Sequence, residues 1–360
     1  MPNYTGIVEL SINTIRFLAL DAIQKADSGH PGICLGAAPM AYVLWERHLK
    51  FYPQDPKWPD RDRFVLSAGH GSALLYAMLH LTGYDIAIED IKRFRQFGSK
   101  TPGHPERNVD IGVEATTGPL GQGIANAVGL AIAEAHLAAR FNKPGHNIVD
   151  HYTYVIAGDG DLMEGVSYEA CALAGHLGLG KLIVLYDDNE ICLSGATKLV
   201  FTEDIMKRFE ACGWQYQQVE DGNDVEAIDK AIDKAKAETS RPSIISVKTV
   251  IGYGSPKQGS AKCHGAPFGI DKSGEKEVEI TKRNLGWPTE PAFLIPDEVK
   301  DHFQKTEDKG GQAFTKWKDD FSSYKKAFPD LADEFDRRFS GNFPDDWDEN
   351  LPEYTSSDDP

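Results

Sequence analysis

From residue 152 onward the chain alternates short apolar runs with helical patterns, and this rhythm restricts the fold more than any other feature. The apolar runs are YTYVIA (152–157), KLIVLY (181–186), WQYQQV (214–219) and SIISVKTV (243–250). Helical patterns fall between them at about 163–178, 203–212 and 224–238. Several runs are almost continuously apolar, as expected of strands with both sheet faces covered. Alternating strands and helices give a mainly parallel sheet with right-handed crossovers, an α/β fold with helices on both faces. Ligands of such sheets sit beyond the carboxyl ends of the strands.

The first half has less rhythm. Ile7, Leu10, Ile15, Leu18 and Ile23 predict a helix over 7–26, which SGHPG ends. A second helix is expected over about 35–50, a strand at 64–66 and a helix at 70–81. Residues 97–119 read as loop, and GQGIANAVGLAIAEAHLAAR (121–140) as an Ala-rich helix. After the last strand, the Gly-, Lys- and Pro-rich stretch 252–290 reads as loop and 297–340 as helix. Phe314, Trp317, Phe321, Tyr324 and Phe328 share one face of that helix, either packed on their own domain or docking a partner. The stretch from Gly341 to Pro360 carries seven acidic and no basic residues and reads as an extended linker. The organisation expected is an α/β domain over 1–296, its helical extension over 297–340, and an acidic linker over 341–360.

Charge and cysteine usage narrow the function classes. A net charge of −17 argues against non-specific nucleic-acid binding, which neutralises phosphates with basic side chains. No run of 18 apolar residues is present, so no membrane span is expected. The first residues have neither a secretory signal pattern nor the Arg- and Ser-rich character of a transit peptide. Cys34, Cys171, Cys192, Cys212 and Cys263 form no CxxC pair, which points to reduced thiols and a cytoplasmic setting.

Chemistry concentrates at the strand ends. VIAGDGDLMEG (155–165) places Asp159 just past one strand, and YDDN places Asn189 just past the next. Two adjacent parallel strands would bring them together. An Asp carboxylate, an Asn amide oxygen and a nearby backbone carbonyl form part of the oxygen shell that Mg²⁺ completes with phosphate and water. Gly158 and Gly160 would permit a tight turn and an approach of backbone N–H groups to an anion. His30, His70, His104 and His264 each sit in a Gly or Pro setting on expected loops, where imidazole can donate to phosphate oxygens or move a proton. ATTGPLGQG (115–123) offers backbone that a flat ligand can approach closely.

In combination these segments closely resemble transketolases, which are thiamine-diphosphate enzymes. SGHPG, DRDRFVLSAGHGSALLYAMLHLTGYD, KTPGHPE, TTGPLGQGIANAVGLAIAE, GDGDLMEGVSYEA, YDDN, FTED and HGAPFG match that family in order. The resemblance implies a thiamine-diphosphate-binding fold and two-carbon ketol transfer between sugar phosphates in the pentose phosphate pathway. It implies Mg²⁺, with Ca²⁺ as a substitute, held by Asp159, Asn189 and the carbonyl of Ile191. His70, Gly160 and His264 would hold the diphosphate, Gly158 would belong to the cofactor site, and Gly118, Pro119 and Leu120 would line the cofactor. His30, His104 and His264 would face the sugar as catalytic residues, polarising its hydroxyls and helping proton transfer. Glu164 would lie at a subunit interface, although a Glu at a helix start is also favoured by the helix dipole. Only the first of the family's three domains, with its linker, is matched. The expected partners are therefore a second copy and a polypeptide supplying the pyrimidine-binding and C-terminal domains. A second reading is a non-catalytic cofactor-binding or interaction protein on the same fold. A third is a related enzyme such as deoxyxylulose-phosphate synthase or a ketoacid dehydrogenase subunit, against which the His-loop set speaks.

Overall fold

The computed structural model describes residues 6–193 and 195–354. The last six residues of the expected acidic linker lie outside them. In chain order the helices are α1 (Ile7–Ala26), α2 (Pro31–Gly36), α3 (Ala38–Val43), α4 (Ser72–Leu81), α5 (Ile88–Lys92), α6 (Gln122–Phe141), α7 (Asp159–Met163), α8 (Gly165–His176), α9 (Ile205–Ala211), α10 (Val225–Ala237), α11 (Glu277–Asn284), α12 (Asp297–Ala327) and α13 (Pro329–Phe339). The strands are β1 (Arg63–Leu66), β2 (Thr153–Gly158), β3 (Leu182–Asp188), β4 (Ile191–Cys192), β5 (Gly195–Ala196), β6 (Gln215–Val219) and β7 (Ser243–Lys248).

Five strands form one wholly parallel sheet in the order β1-β2-β3-β7-β6. Successive side chains point to opposite faces, and both faces are buried. Phe64, Leu66, Tyr154, Ile156, Ile183, Leu185, Ile245 and Val247 pack under α1, α3, α4 and α10. Val65, Val155, Ala157, Val184, Tyr186 and Ile244 pack under α6, α8 and α9. This is the α/β architecture expected from the alternation. The site-bearing strand ends of β1, β2, β3 and β7 are neighbours at one rim of the sheet.

Three expectations need correction. The helix expected over 35–50 begins at Pro31 and breaks after Gly36, and Leu44–His48 is a π-helical turn. Pro31 is preset for a helix start, and Pro39 lacks the N–H that would continue α2. The expected loop 252–290 contains α11, whose charged sequence EVEITKRN carries too few apolar residues to show a helical period. Helix 297–340 is two helices, since Pro329 opens α13.

The aromatic stripe packs on its own domain. Phe321 and Tyr324 meet Phe141 of α6 and Phe335 of α13. Trp317 donates from Nε1 to the Ile148 carbonyl at 2.9 Å. At the other end of α12, Val299 and Phe303 join the core under α1. Among the described residues no helix is long and apolar enough to cross a membrane, and the five cysteines are unpaired.

Helix α6 lies so close to β1 that a Cβ at Gly123 would come within 2.4 Å of the Ser67 Cα. Backbone cannot yield as a side chain can. Gly123→Ala is expected to cost about 1–3 kcal/mol by overpacking, read as a lower urea midpoint with an unchanged slope.

Candidate functional site

All the expected site residues, except His104 and Pro119, line one cavity of about 400 Å³ at the carboxyl rim of the sheet. β2 ends at Gly158 and β3 at Asp188, so Asp159 and Asn189 enter from adjacent strands. Tyr186 donates its hydroxyl to Asp159 Oδ1 at 2.6 Å. Asp159 Oδ2 is buried and has no hydrogen-bond partner. Burial, opposed by the Tyr186 hydrogen bond and reinforced by Asp187 and Asp188, pushes the Asp159 carboxyl up to about 7. The Asn189 amide is held from both sides. Its Nδ2 donates to Asp187 Oδ2 at 2.9 Å, and its Oδ1 accepts from the Ile191 N–H at 3.0 Å. Asp187 is itself buried and accepts from the Thr249 hydroxyl.

The two glycines around Asp159, expected to permit a tight turn, do not have left-handed backbone. Gly158 is extended and immediately precedes α7. A Cβ at Gly160 would meet Leu120 Cδ1 at 2.8 Å, so glycine there keeps α7 and the Leu120 loop together. Left-handed backbone occurs instead at Gly121, with φ 78°.

Asp161 organises this rim; it lies within the GDGDLMEG segment but was not among the expected site residues. Its Oδ1 accepts from the Ser67 hydroxyl at 2.7 Å and from the Gly121 N–H at 2.8 Å. Its Oδ2 accepts from the Gly158 N–H at 2.9 Å. One fully buried carboxylate thus ties the end of β1, the Gly118–Gly121 loop and the end of β2. The signal available was its place three residues after Gly158, where an acidic side chain can reach back to the preceding N–H.

Four histidines converge opposite. The His30 ring centroid lies 5.1 Å from that of His70, 5.7 Å from His264 and 6.2 Å from His104. His70 and His264 stack at 5.0 Å. His104 stands beside this group, packed on Gly118, and lines an adjoining cleft with Ser28 and Arg95. Pro119 is exposed and does not line the cavity, while Glu164 is exposed at its edge as the residue preceding α8. Burial, then the neighbouring imidazoles and Arg95, lowers His30 to about 4; burial and its imidazole neighbours lower His70 to about 3. His104 and His264 are lowered as well, chiefly by burial. The cluster is therefore neutral at pH 7, and each ring carries one donor and one acceptor.

A group whose folded pKa is depressed contributes stability that is complete above its unfolded value and lost as pH falls. Lowering the pH of the ligand-free chain from about 6.5 towards 4 is expected to remove the cluster's contribution. Thermal melts followed by circular dichroism check this. The difference between native and His70→Gln chains should move against the native chain as the medium is acidified.

This parallel sheet, with an acidic pocket and a neutral imidazole wall at its carboxyl rim, defines an α/β cofactor-binding domain. The family model described as transketolase, thiamine diphosphate binding domain, matches residues 7–344, and the chain belongs to that family. It is 60% identical over 356 residues to a transketolase of Nostoc sp., covering 98% of this chain and 52% of that protein. It is 53% identical to transketolase 1 of Saccharomyces cerevisiae, covering 99% of this chain and 52% of that protein. Among solved structures, the Pichia stipitis transketolase complex with sedoheptulose 7-phosphate superposes with a TM-score of 0.93 at 47% identity, covering 99% of this chain and 52% of that one. The Leishmania mexicana transketolase gives 0.93 at 49% identity, covering 98% and 52%. The chain spans about half the length of the curated relatives it matches.

Proposed function

We propose that this chain is the part of a transketolase that binds Mg²⁺ and the diphosphate of thiamine diphosphate, and that it takes part in moving a two-carbon ketol unit between sugar phosphates. The observation that carries this reading is the pairing of the unpartnered, buried Asp159 Oδ2 with an Asn189 amide that Asp187 holds in place. A buried carboxylate oxygen without a donor calls for a partner, and a cation is one that the neighbouring Asn189 amide oxygen could share. An Asp, an Asn and the Ile191 carbonyl suit Mg²⁺, which takes its remaining oxygens from phosphate and water.

In this reading His70 and His264 donate to diphosphate oxygens, and the Gly158–Gly160 backbone lies against the same group. Gly118 and Leu120 cover one face of the cofactor, with Pro119 shaping their loop. When bound, thiamine diphosphate supplies the electron sink for breaking the ketose C–C bond. His30, His104 and His264 bind the sugar hydroxyls and hold protons at their ring nitrogens. Their neutrality supports the assignment, because a neutral imidazole both donates and accepts.

The mouth of the cavity carries exposed apolar side chains: Leu193 and Val200 are each 72% exposed, and Leu199 beside them equally so. Such surface next to a pocket supports a covering partner. We assign that role to a second copy and to the pyrimidine-binding and C-terminal domains, with Glu164 at the contact.

The test is ketol transfer by the purified chain with thiamine diphosphate and Mg²⁺, with and without the remaining transketolase domains supplied in trans. Activity that appears with the added domains is the expected result. Calorimetric titration showing no Mg²⁺-dependent cofactor binding would overturn the reading.

A further inference from the structure

Arg95 combines three features that the proposed chemistry does not use. It follows α5 with a backbone φ of 61°, a left-handed conformation that a side-chain-bearing residue adopts at a cost. Its N–H is held there by the Thr101 carbonyl at 2.9 Å. Its guanidinium runs back under the histidine cluster, where Nη1 donates to Ser28 Oγ at 2.8 Å and Nη2 meets His30 Nδ1 at 3.3 Å. Strain of this kind persists where the surroundings over-determine it, and such sites gather near function.

The contact with His30 has one chemical reading. A guanidinium has five N–H donors and no acceptor, and it stays protonated. His30 Nδ1 must then be the bare, accepting nitrogen, and in the neutral ring the proton sits on Nε2. The Nε2 edge lies on the side of Gly265, 3.6 Å from where a Cβ on that glycine would stand, within the wall that His30 and His264 form around the cavity.

We infer that Arg95 is a positioning residue that fixes His30 as the Nε2–H tautomer, so that His30 presents a hydrogen-bond donor, and no base, to whatever oxygen enters the cavity. The inference rests on the proposed placement of His30 against the substrate and decides between the two roles left open there. His30 polarises a substrate oxygen by donating to it, and proton removal falls to another group. The positive guanidinium beside Nδ1 also opposes a second proton on the ring, consistent with the lowered His30 pKa. Lysine could donate at the same place but could not also hold Ser28 in a planar fork.

The test reads the imidazole directly. Long-range ¹H–¹⁵N correlation spectra of the ¹⁵N-histidine-labelled chain, with His30 assigned by His30→Asn, report which nitrogen carries the proton. The native chain is expected to show His30 as Nε2–H. Arg95→Met keeps the stem and removes the donor, and is expected to lower the Nε2–H to Nδ1–H ratio about tenfold, the bias a charge-assisted hydrogen bond supplies. Arg95→Lys is expected to restore it. An Nδ1–H signal for His30 in the native chain overturns the inference, and this holds even where Arg95→Met fails to fold. So does an unchanged ratio in a folded Arg95→Met chain. The spectra are taken without ligand, so a chain that binds no cofactor defeats the proposed function and leaves this readout intact.

Discussion

Asp159→Asn is expected to weaken Mg²⁺-dependent binding of thiamine diphosphate by more than about 100-fold, since even residues that only orient metal ligands are worth 10- to 100-fold. The same change should leave the fold as stable as before, or more so. The carboxyl is raised to about 7 from an ordinary value of 3.8. A raised carboxyl binds its proton more tightly in the folded state, so the native chain loses stability as pH climbs from about 4 to 7. Asn is neutral throughout and can still accept from Tyr186. Calorimetry should therefore show lost binding, while melts at pH 8 show an equal or higher midpoint. A variant that loses both binding and stability would mean that Asp159 is a structural carboxylate. The raised value adds a linked expectation. Cation binding needs the ionised form, so below neutrality it should release up to about one proton per cation, visible as buffer-dependent heats.

Two residues further on, Asp161→Ala should do the opposite. It removes the acceptor for the Gly121 N–H, the Gly158 N–H and the Ser67 hydroxyl. Each buried donor left unsatisfied costs about 1–3 kcal/mol, so a loss of at least roughly 3 kcal/mol is expected in urea unfolding. Cofactor binding should fall with it, because the Gly118–Leu120 loop and the Asp159 strand end lose their common anchor. Asp161→Asn should be milder. Its carbonyl can serve two donors, but its amide would face the Gly158 N–H, donor against donor. Asp159 and Asp161 share one short segment and nearly the same burial, so the opposite signs of their effects separate a ligand from a scaffold. Equal stability losses in both variants would defeat that separation.

What could be read from the sequence follows from how local the signals are. The parallel sheet was legible because strands buried on both faces are continuously apolar, and Asp159 and Asn189 because each stands immediately past such a run. The histidines announced themselves by their Gly and Pro neighbours. Asp161, Asp187 and Tyr186 did not, because their importance lies in partners far along the chain: Ser67 and Gly121 for Asp161, Thr249 for Asp187. Of the two glycines at 158 and 160, only Gly160 is crowded, by the Leu120 side chain, and neither has left-handed backbone. Helix α11 escaped notice because its stability comes from contacts such as Lys257 with Glu277 at 2.7 Å, not from its own apolar pattern.

Helix α12 spans 31 residues, about 46 Å at 1.5 Å per residue. One end, at Val299 and Phe303, belongs to the α1 layer; the other, at Phe321 and Tyr324, rests on the end of α6, in the opposite layer. The helix is thus a clasp that ties together the two helical layers on either side of the sheet. Without it, each layer could open as its own cooperative unit; with it, opening either one strips contacts from the other. In hydrogen exchange, amides of α4 and α6 should then share one opening free energy in the intact chain and part company in a chain cut after Pro296.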